Sequence, residues 1–227
     1  MTVGTVLITG GSSGLGAATA EAVAQAGGRP VVLDRVTPSA DHDCEVVDLV
    51  DRRGTERAVR SVSDRVGGID GVVTCAGIDS CGRLEDVDAD EWDQVVLVNL
   101  LGTAAVVRAA LPDLLERRGR VVTVASTLGL RAVSDATAYC ASKFGVVGFT
   151  RALSAETAGR IGVTLLVPGG MHTPFFDGRT EQYKPPPDAK LNQPHDVAQA
   201  IVFALEQPAG CEMREMLIAP SMEGSWP

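Results

Sequence analysis

Residues 5–16 read Thr5-Val6-Leu7-Ile8-Thr9-Gly10-Gly11-Ser12-Ser13-Gly14-Leu15-Gly16. An apolar run stops at a glycine pair, and a helical pattern begins a few residues later. The run predicts a buried strand over residues 3–9. Over residues 13–26, Leu15, Ala18, Ala22 and Val23 return near helical spacing, and Gly27-Gly28 ends the helix. Gly10, Gly14 and Gly16 therefore fall at a strand-to-helix turn. Glycine permits tight turning there and close backbone approach to a ligand, while the helix N-terminus offers oriented N–H groups and a partial positive charge. That is a seat for the pyrophosphate of a dinucleotide, with Ser12, Ser13 and Leu15 beside the glycines. The spacing is Gly-x-x-x-Gly-x-Gly rather than Gly-x-Gly-x-x-Gly.

The same alternation continues outward. Strands are predicted over residues 30–34, 44–47, 69–75, 120–126, 162–167 and 215–219. Helices are predicted over residues 51–66, 89–117, 136–158 and 195–206, with Pro194 suited to the first turn of the last one. Pro112 inside the 89–117 stretch predicts a kink or a break. Strands with apolar cores alternating with helices give a parallel sheet covered on both faces. Right-handed crossovers make it an α/β doubly wound fold, read as one domain over residues 1–227. There is no internal repeat, low-complexity tract or linker. Residues 173–193, which include Pro185-Pro186-Pro187, are irregular, and a substrate loop or lid is expected over about 171–193.

The chain has 227 residues, 45% hydrophobic and 22% charged, with a net charge of −9. Such an acidic chain without a basic stripe argues against nucleic acid and anionic membranes as partners. No apolar run reaches the roughly 18 residues needed to span a bilayer. The N-terminus has no basic leader and enters a strand at once, so no signal peptide is expected. The five cysteines are odd in number and show no C-x-x-C spacing, which predicts free thiols in a reducing cytoplasm. The three histidines do not cluster with them, so no metal site is expected.

Two positions carry the nucleotide choice. Asp34 ends the second strand, about 20 residues beyond the glycine turn, where a carboxylate accepts hydrogen bonds from the adenosine ribose and repels a 2′-phosphate. This predicts NAD. Arg35 follows directly and is placed to hold a 2′-phosphate, which leaves NADP open.

Ser126 stands at the end of the fifth strand, on the side where open α/β sheets bind ligands. Tyr139 follows thirteen residues later, and Lys143 shares its helix face, one turn on. A free Tyr has a pKa of about 10, too high for a base at neutral pH. A nearby ammonium and a cationic nicotinamide ring are expected to lower it. In this reading Ser126 holds the substrate oxygen and Tyr139 moves its proton, as hydride passes to or from the nicotinamide. Asn99 lies inside the 89–117 helix, where Asn is mildly unfavourable.

Together these residues resemble the classical short-chain dehydrogenase/reductase family over nearly the whole chain. The resemblance rests on Thr9-Gly10-x-x-x-Gly14-x-Gly16, Asp48-Leu49, Ala76-Gly77, Asn99, Ser126, Tyr139-x-x-x-Lys143 and Pro168-Gly169, in the family's order. It implies a Rossmann fold and a catalytic tetrad of Asn99, Ser126, Tyr139 and Lys143, with Asn99 holding a water that relays protons through Lys143. It also implies that Asp48 and Leu49 border the adenine and that Lys143 binds the nicotinamide ribose. Thr173, in the run from Pro168 and Gly169 through Met171, would contact the carboxamide, and a strand-end Asp like Asp34 marks the NAD-preferring members. The sequence departs from the family at Thr74-Cys75-Ala76-Gly77, where an Asn usually precedes Ala-Gly. It departs again in the tail over 220–227, which lacks the common Asp-Gly-Gly.

The expected function is hydride transfer between NAD(H) and a secondary alcohol or ketone. The alternatives are an NADPH-dependent 3-oxoacyl reductase and a non-catalytic nucleotide-binding regulator. Thr127, Leu128, Val133, Met171, His172, Phe175, Phe176 and Tyr183 are the candidate substrate contacts, a mostly apolar set. Ala104, Ala105, Ala109, Ala110, Val146, Val147, Phe149 and Leu153 add apolar surface on the two long helices. They predict a homo-oligomer, a tetramer before a dimer, because apolar patches of that kind mark interfaces and the family pairs these helices across a two-fold axis.

Overall fold

The computed structural model describes residues 3–223. Seven strands form its sheet: β1 (Thr5–Thr9), β2 (Arg29–Asp34), β3 (Asp43–Val46), β4 (Gly71–Thr74), β5 (Arg120–Val124), β6 (Gly162–Pro168) and β7 (Glu215–Ile218). Their order is β3-β2-β1-β4-β5-β6-β7, and every pair is parallel. The chain leaves β1 toward β2 and β3, then returns to β4 on the other side. That reversal opens a crevice beyond the C-terminal ends of β1 and β4, where ligands bind in such sheets.

The strand interiors are apolar because both faces are covered. Val6 and Ile8 of β1 join one core with Val32 and Val73, and Leu7 joins the opposite core with Val31, Leu33 and Val72. The first core is roofed by α1 (Gly14–Gln25) and α6 (Pro194–Leu205), through Leu15, Val23, Val197 and Ile201. The second is roofed by α2 (Arg52–Val66), through Val59 and Val62, and by two further helices. One of these begins as α3 (Ala89–Val96) and continues as α4 (Thr103–Arg117), which gives Val106, Val107, Ala110 and Leu114. The other is α5 (Thr137–Glu156), which gives Leu153. Strand alternation thus sends successive side chains into two separate cores.

Between α3 and α4 the helix does not stop. It widens into a π turn over Leu97–Gly102, with Asn99 inside it. The interruption of the helical pattern is therefore at Asn99, and no break occurs at Pro112. Helix α4 continues through Pro112 without a break. The carbonyl one turn earlier belongs to exposed Arg108, where water can replace the lost N–H bond.

Residues Ala89–Arg117 also correct the expectation of no membrane-length apolar segment. They contain an 18-residue window of mean hydropathy 1.8, half of it buried inside the fold. The buried residues Val106, Val107 and Ala110 of this stretch belong to the second core, which is how a core helix meets the same length and composition.

The apolar surplus on the long helices is smaller than the sequence implies. Ala105, Ala110, Val146, Val147 and Leu153 are buried within the single chain. Sequence alone cannot separate a core stripe from an interface stripe on a helix that has both.

Candidate active site

The glycine turn closes because two glycines leave no room for anything else. A Cβ on Gly16 would lie 2.1 Å from the Gly10 carbonyl oxygen. Gly10 has a left-handed φ of +70°, and a Cβ there would lie 2.8 Å from Ala76 Cα. The start of α1 is thereby pressed onto the ends of β1 and β4. Ser13, the residue before α1, makes no side-chain bond to the helix, and the first turn carries no acidic residue. Among the described residues no side-chain cap or first-turn acid answers its N–H groups and positive end, which fit an anionic pyrophosphate.

This turn is one wall of a cleft of about 1060 Å³. Gly10, Ser13, Gly14, Leu15, Gly16, Arg35, Ala76 and Gly77 line it, as do Pro168, Gly169, Met171 and Thr173. Ser126, Tyr139 and Lys143 line it too. The volume is at the upper end of small-molecule sites, enough for a cofactor and a substrate together.

Four of the sequence candidates for nucleotide contact do not line this cleft. The Asp34 carboxylate accepts from the backbone N–H of Ser12 at 3.0 Å, Arg35 at 2.7 Å and Val36 at 3.3 Å. Ser12 is turned away as well, its hydroxyl donating to the Val36 carbonyl at 2.6 Å. Asp48 is exposed and caps its own turn by accepting from Val50 N–H at 3.0 Å. Leu49 is buried in the core, where a Cβ on Gly102 would touch it at 2.9 Å.

The chemistry-bearing side chains come from two neighbouring elements. Strand β5 ends at Val124, and Ser126 starts the short 3₁₀ turn Thr127–Gly129, its Oγ accepting from Leu128 N–H at 3.1 Å. Tyr139 and Lys143 occupy the first two turns of α5. Lys143 is 4% exposed, and its Nζ donates to the Val124 carbonyl at 2.9 Å. The same Nζ stands 5.6 Å from the centre of the Tyr139 ring.

Burial moves both groups. It pushes the Tyr139 phenol well above its ordinary value, opposed by the neighbouring Ser126 hydroxyl. It pulls Lys143 down from 10.5 to about 8. The expected depression of Tyr139 by an adjacent ammonium is thus absent from the protein's own electrostatics. Desolvation dominates, with the Asp79 charge adding to it and the Ser126 hydroxyl and Arg179 charge acting against it.

Asn99 lies behind these residues and is 1% exposed. Its Oδ1 accepts from Ile78 N–H at 2.8 Å, and its Nδ2 donates to the Ile78 carbonyl at 2.9 Å and to Ser142 Oγ at 3.0 Å. It therefore ties the loop after β4 to α5. Gly77 lies beside Lys143 and Asn99, since a Cβ there would meet Lys143 Nζ at 3.5 Å and Asn99 Oδ1 at 3.6 Å, ordinary contact distances. Cys75, at the family's usual Asn position, touches Thr19 Oγ1 at 3.9 Å, and burial pushes its thiol up to about 12.

Of the candidate substrate contacts, Thr127, Leu128, Met171, Phe175 and Phe176 line the cleft. Val133 and His172 are exposed outside it. Tyr183 also lies outside, donating to Asp135 at 3.4 Å. Sequence reading missed Asp79, Arg179, Lys190, Met222 and Glu223, all on the cleft wall. No motif spacing marks them, since they come from three distant loops. Glu223 folds the tail back by accepting from Gly170 N–H at 3.0 Å, and residues 224–227 of that tail lie outside the described residues.

The fold and the cleft at its switch point define a nucleotide-binding α/β protein. Its sequence matches the family described as short chain dehydrogenase over residues 4–184, and the chain belongs to that family. It is an oxidoreductase of the short-chain dehydrogenase/reductase kind. It is 31% identical to "Uncharacterized oxidoreductase MW2403" of Staphylococcus aureus (strain MW2), over 94% of this chain and 96% of that protein. It is 32% identical to "Glycine betaine reductase ATRR" of Emericella nidulans over 96% of this chain, which spans only 19% of that longer protein. Among solved structures, levodione reductase superposes with a TM-score of 0.85 at 29% identity, covering 99% of this chain and 97% of that one.

Proposed function

We propose that the protein moves a hydride between NAD(H) and a secondary alcohol or its ketone. One observation carries this. Ser126, Tyr139 and Lys143 converge on the cleft whose opposite wall is the glycine turn and the uncapped start of α1. Gly10, Gly14, Gly16, Ala76 and Gly77 would cradle the dinucleotide, with Pro168, Gly169, Met171 and Thr173 along its nicotinamide end. When bound, the nicotinamide ring supplies or accepts the hydride. Ser126 holds the substrate oxygen by a hydrogen bond. The raised pKa of Tyr139 keeps its proton in place and suits it to protonate an oxygen that gains charge during reduction. Lys143 holds a positive charge against that oxygen up to about pH 8. Asn99 fixes the wall that keeps these groups in register.

A second reading uses NADPH, as a 3-oxoacyl reductase would. It is favoured by Arg35, which lines the cleft while Asp34 spends its oxygens on backbone N–H groups. Asp34 remains the closer charge to the turn through Ser12, and we retain NAD. The test is a turnover assay with a panel of secondary alcohols and ketones against each nucleotide. Faster turnover with NAD at matched saturation is expected. Turnover with neither nucleotide would sink the catalytic reading.

We also infer a homo-oligomer, a tetramer before a dimer. The support is now narrower: Phe144 on α5 is 44% exposed, and Gly148 one turn on faces open space. Light scattering at micromolar concentration is expected to give a multiple of the chain mass. The five free cysteines support a reducing, cytoplasmic setting.

A further inference from the structure

Asp79, on the loop after β4, pairs with Arg179, a hundred residues away in the 171–193 loop. Arg179 Nη2 donates to Asp79 Oδ2 at 2.7 Å, and the two side chains are 5% and 19% exposed. The pair is incomplete. Asp79 Oδ2 also takes the Cys81 thiol at 3.2 Å, while Asp79 Oδ1 is buried with no partner among the described residues. Arg179 Nε is buried and unpartnered as well. An arginine side edge normally meets a carboxylate with two parallel bonds, one from Nε. Here one of the two is missing, leaving a buried acceptor and a buried donor on the same pair.

Both residues line the cleft beside the proposed proton donor. The Tyr139 ring meets Phe175 at 5.6 Å between centroids, and the Arg179 guanidinium lies over Phe175 at 5.0 Å and Phe176 at 4.7 Å. Arg179 is held further by Nη1, which donates to the Tyr183 carbonyl at 3.2 Å. The guanidinium is therefore fixed by two rings, a carbonyl and a carboxylate, so its free Nε is a preset donor.

We propose that the Asp79–Arg179 pair is a recognition point for a substrate hydroxyl, which accepts from Arg179 Nε and donates to Asp79 Oδ1. This rests on the hydride-transfer reading of the same cleft and adds the substrate class: hydroxylated ketones and polyols. A hydroxyl is the smallest group that is donor and acceptor at once. A hydrocarbon chain leaves both buried groups unsatisfied. A carboxylate meets the Asp79 charge and has no proton for Oδ1.

The test compares ketones bearing a hydroxyl on the adjacent or next carbon with the same ketones lacking it. Two readouts are taken: kcat/KM with either reduced nucleotide, and calorimetric binding with either oxidised nucleotide, where no reduction can run. In the unmodified protein the hydroxylated ketones are expected to lead by about 10²-fold in kcat/KM, since the analogues leave a buried donor and a buried acceptor unsatisfied. Asp79→Leu and Arg179→Met should bring that ratio below about tenfold. Asp79→Asn keeps an acceptor and the shape, and should preserve most of the ratio; if the other two fail to fold, the unmodified protein's own ratio between the two ketones decides the matter. Equal handling of both ketones by the unmodified protein overturns the proposal, as does a ratio unmoved in folded Asp79→Leu or Arg179→Met. If neither ketone turns over but the hydroxylated one binds more tightly, hydride transfer falls and the recognition point stands. Equal binding without turnover sinks both.

Discussion

The cleft has two halves built by different means. The nucleotide half is made of backbone: glycines at the β1–α1 turn, uncapped N–H groups at the start of α1, and Ala76-Gly77 behind them. The substrate half is made of side chains that meet across long stretches of sequence, such as Asp79 with Arg179 and Tyr139 with Phe175. Backbone construction demands particular residues at particular spacings, because only glycine avoids a Cβ 2.1 Å from a carbonyl oxygen. Side-chain construction demands only that distant loops arrive together, and many residues serve.

If the halves are separable, the largest effect comes from breaking one and not the other. Tyr139→Phe removes a hydroxyl from the substrate half and leaves the glycine turn untouched. Turnover should fall by at least about 10²-fold, the lower end of what acid–base catalysis contributes. Nucleotide affinity, measured by calorimetry, should stay within about threefold, the size of a small surface effect. Near-normal turnover removes Tyr139 from its role. A large loss of nucleotide affinity instead shows that the two halves are one unit.

The same division explains what was legible in the sequence. The strands, the sheet covered on both faces and the glycine turn follow from apolar runs and glycine spacing, which are local signals. Ser126, Tyr139 and Lys143 were legible because one strand end and one helix turn place all three. Asp34 was legible as a position but not as a conformation: its carboxylate turns to the N–H groups of Ser12, Arg35 and Val36. Leu49 sits in a motif yet belongs to the core, a matter of burial that spacing does not encode. Pro112 does not break the helix, because the partner it loses faces water, whereas the π turn at Asn99 answers to a tertiary need, the tie between Ile78 and Ser142. Asp79 and Arg179 carry no local signal at all.

Lys143 sits on the seam of the two halves, and its burial has a thermodynamic consequence. Its folded pKa is about 8 against 10.5 for the free side chain. Between those values the unfolded chain binds the proton that the native state has released, so stability rises with pH across that window; below about 8 the full cost of the buried charge applies. Lys143→Met keeps the length and removes the charge. It should abolish turnover yet raise stability at neutral pH by about 1–3 kcal/mol, after the loss of one hydrogen bond to Val124. Denaturant melts should show that advantage shrinking as the pH climbs toward 10. A destabilised variant, or an advantage independent of pH, would show that Lys143 is well solvated or paired in the native protein.

The smallest effect lies within the nucleotide half and turns on one charge. Asp34 points at backbone N–H groups, and Arg35 reaches the cleft wall with no side-chain partner among the described residues. If the carboxylate still repels a 2′-phosphate from behind the turn, Asp34→Ala should improve NADP relative to NAD. A charge a few ångströms away near the surface is worth about 1–1.5 kcal/mol, which is roughly tenfold in the ratio of kcat/KM values. Arg35→Ala should do the reverse and weaken NADP alone. These two substitutions act on opposite signs, so a shared structural disturbance of the turn cannot mimic both. If Asp34→Ala lowers NAD and NADP equally, the carboxylate serves only to hold Ser12 and the strand end. Nucleotide choice then belongs to Arg35, and the protein that prefers NADP before any mutation would be read from that residue alone.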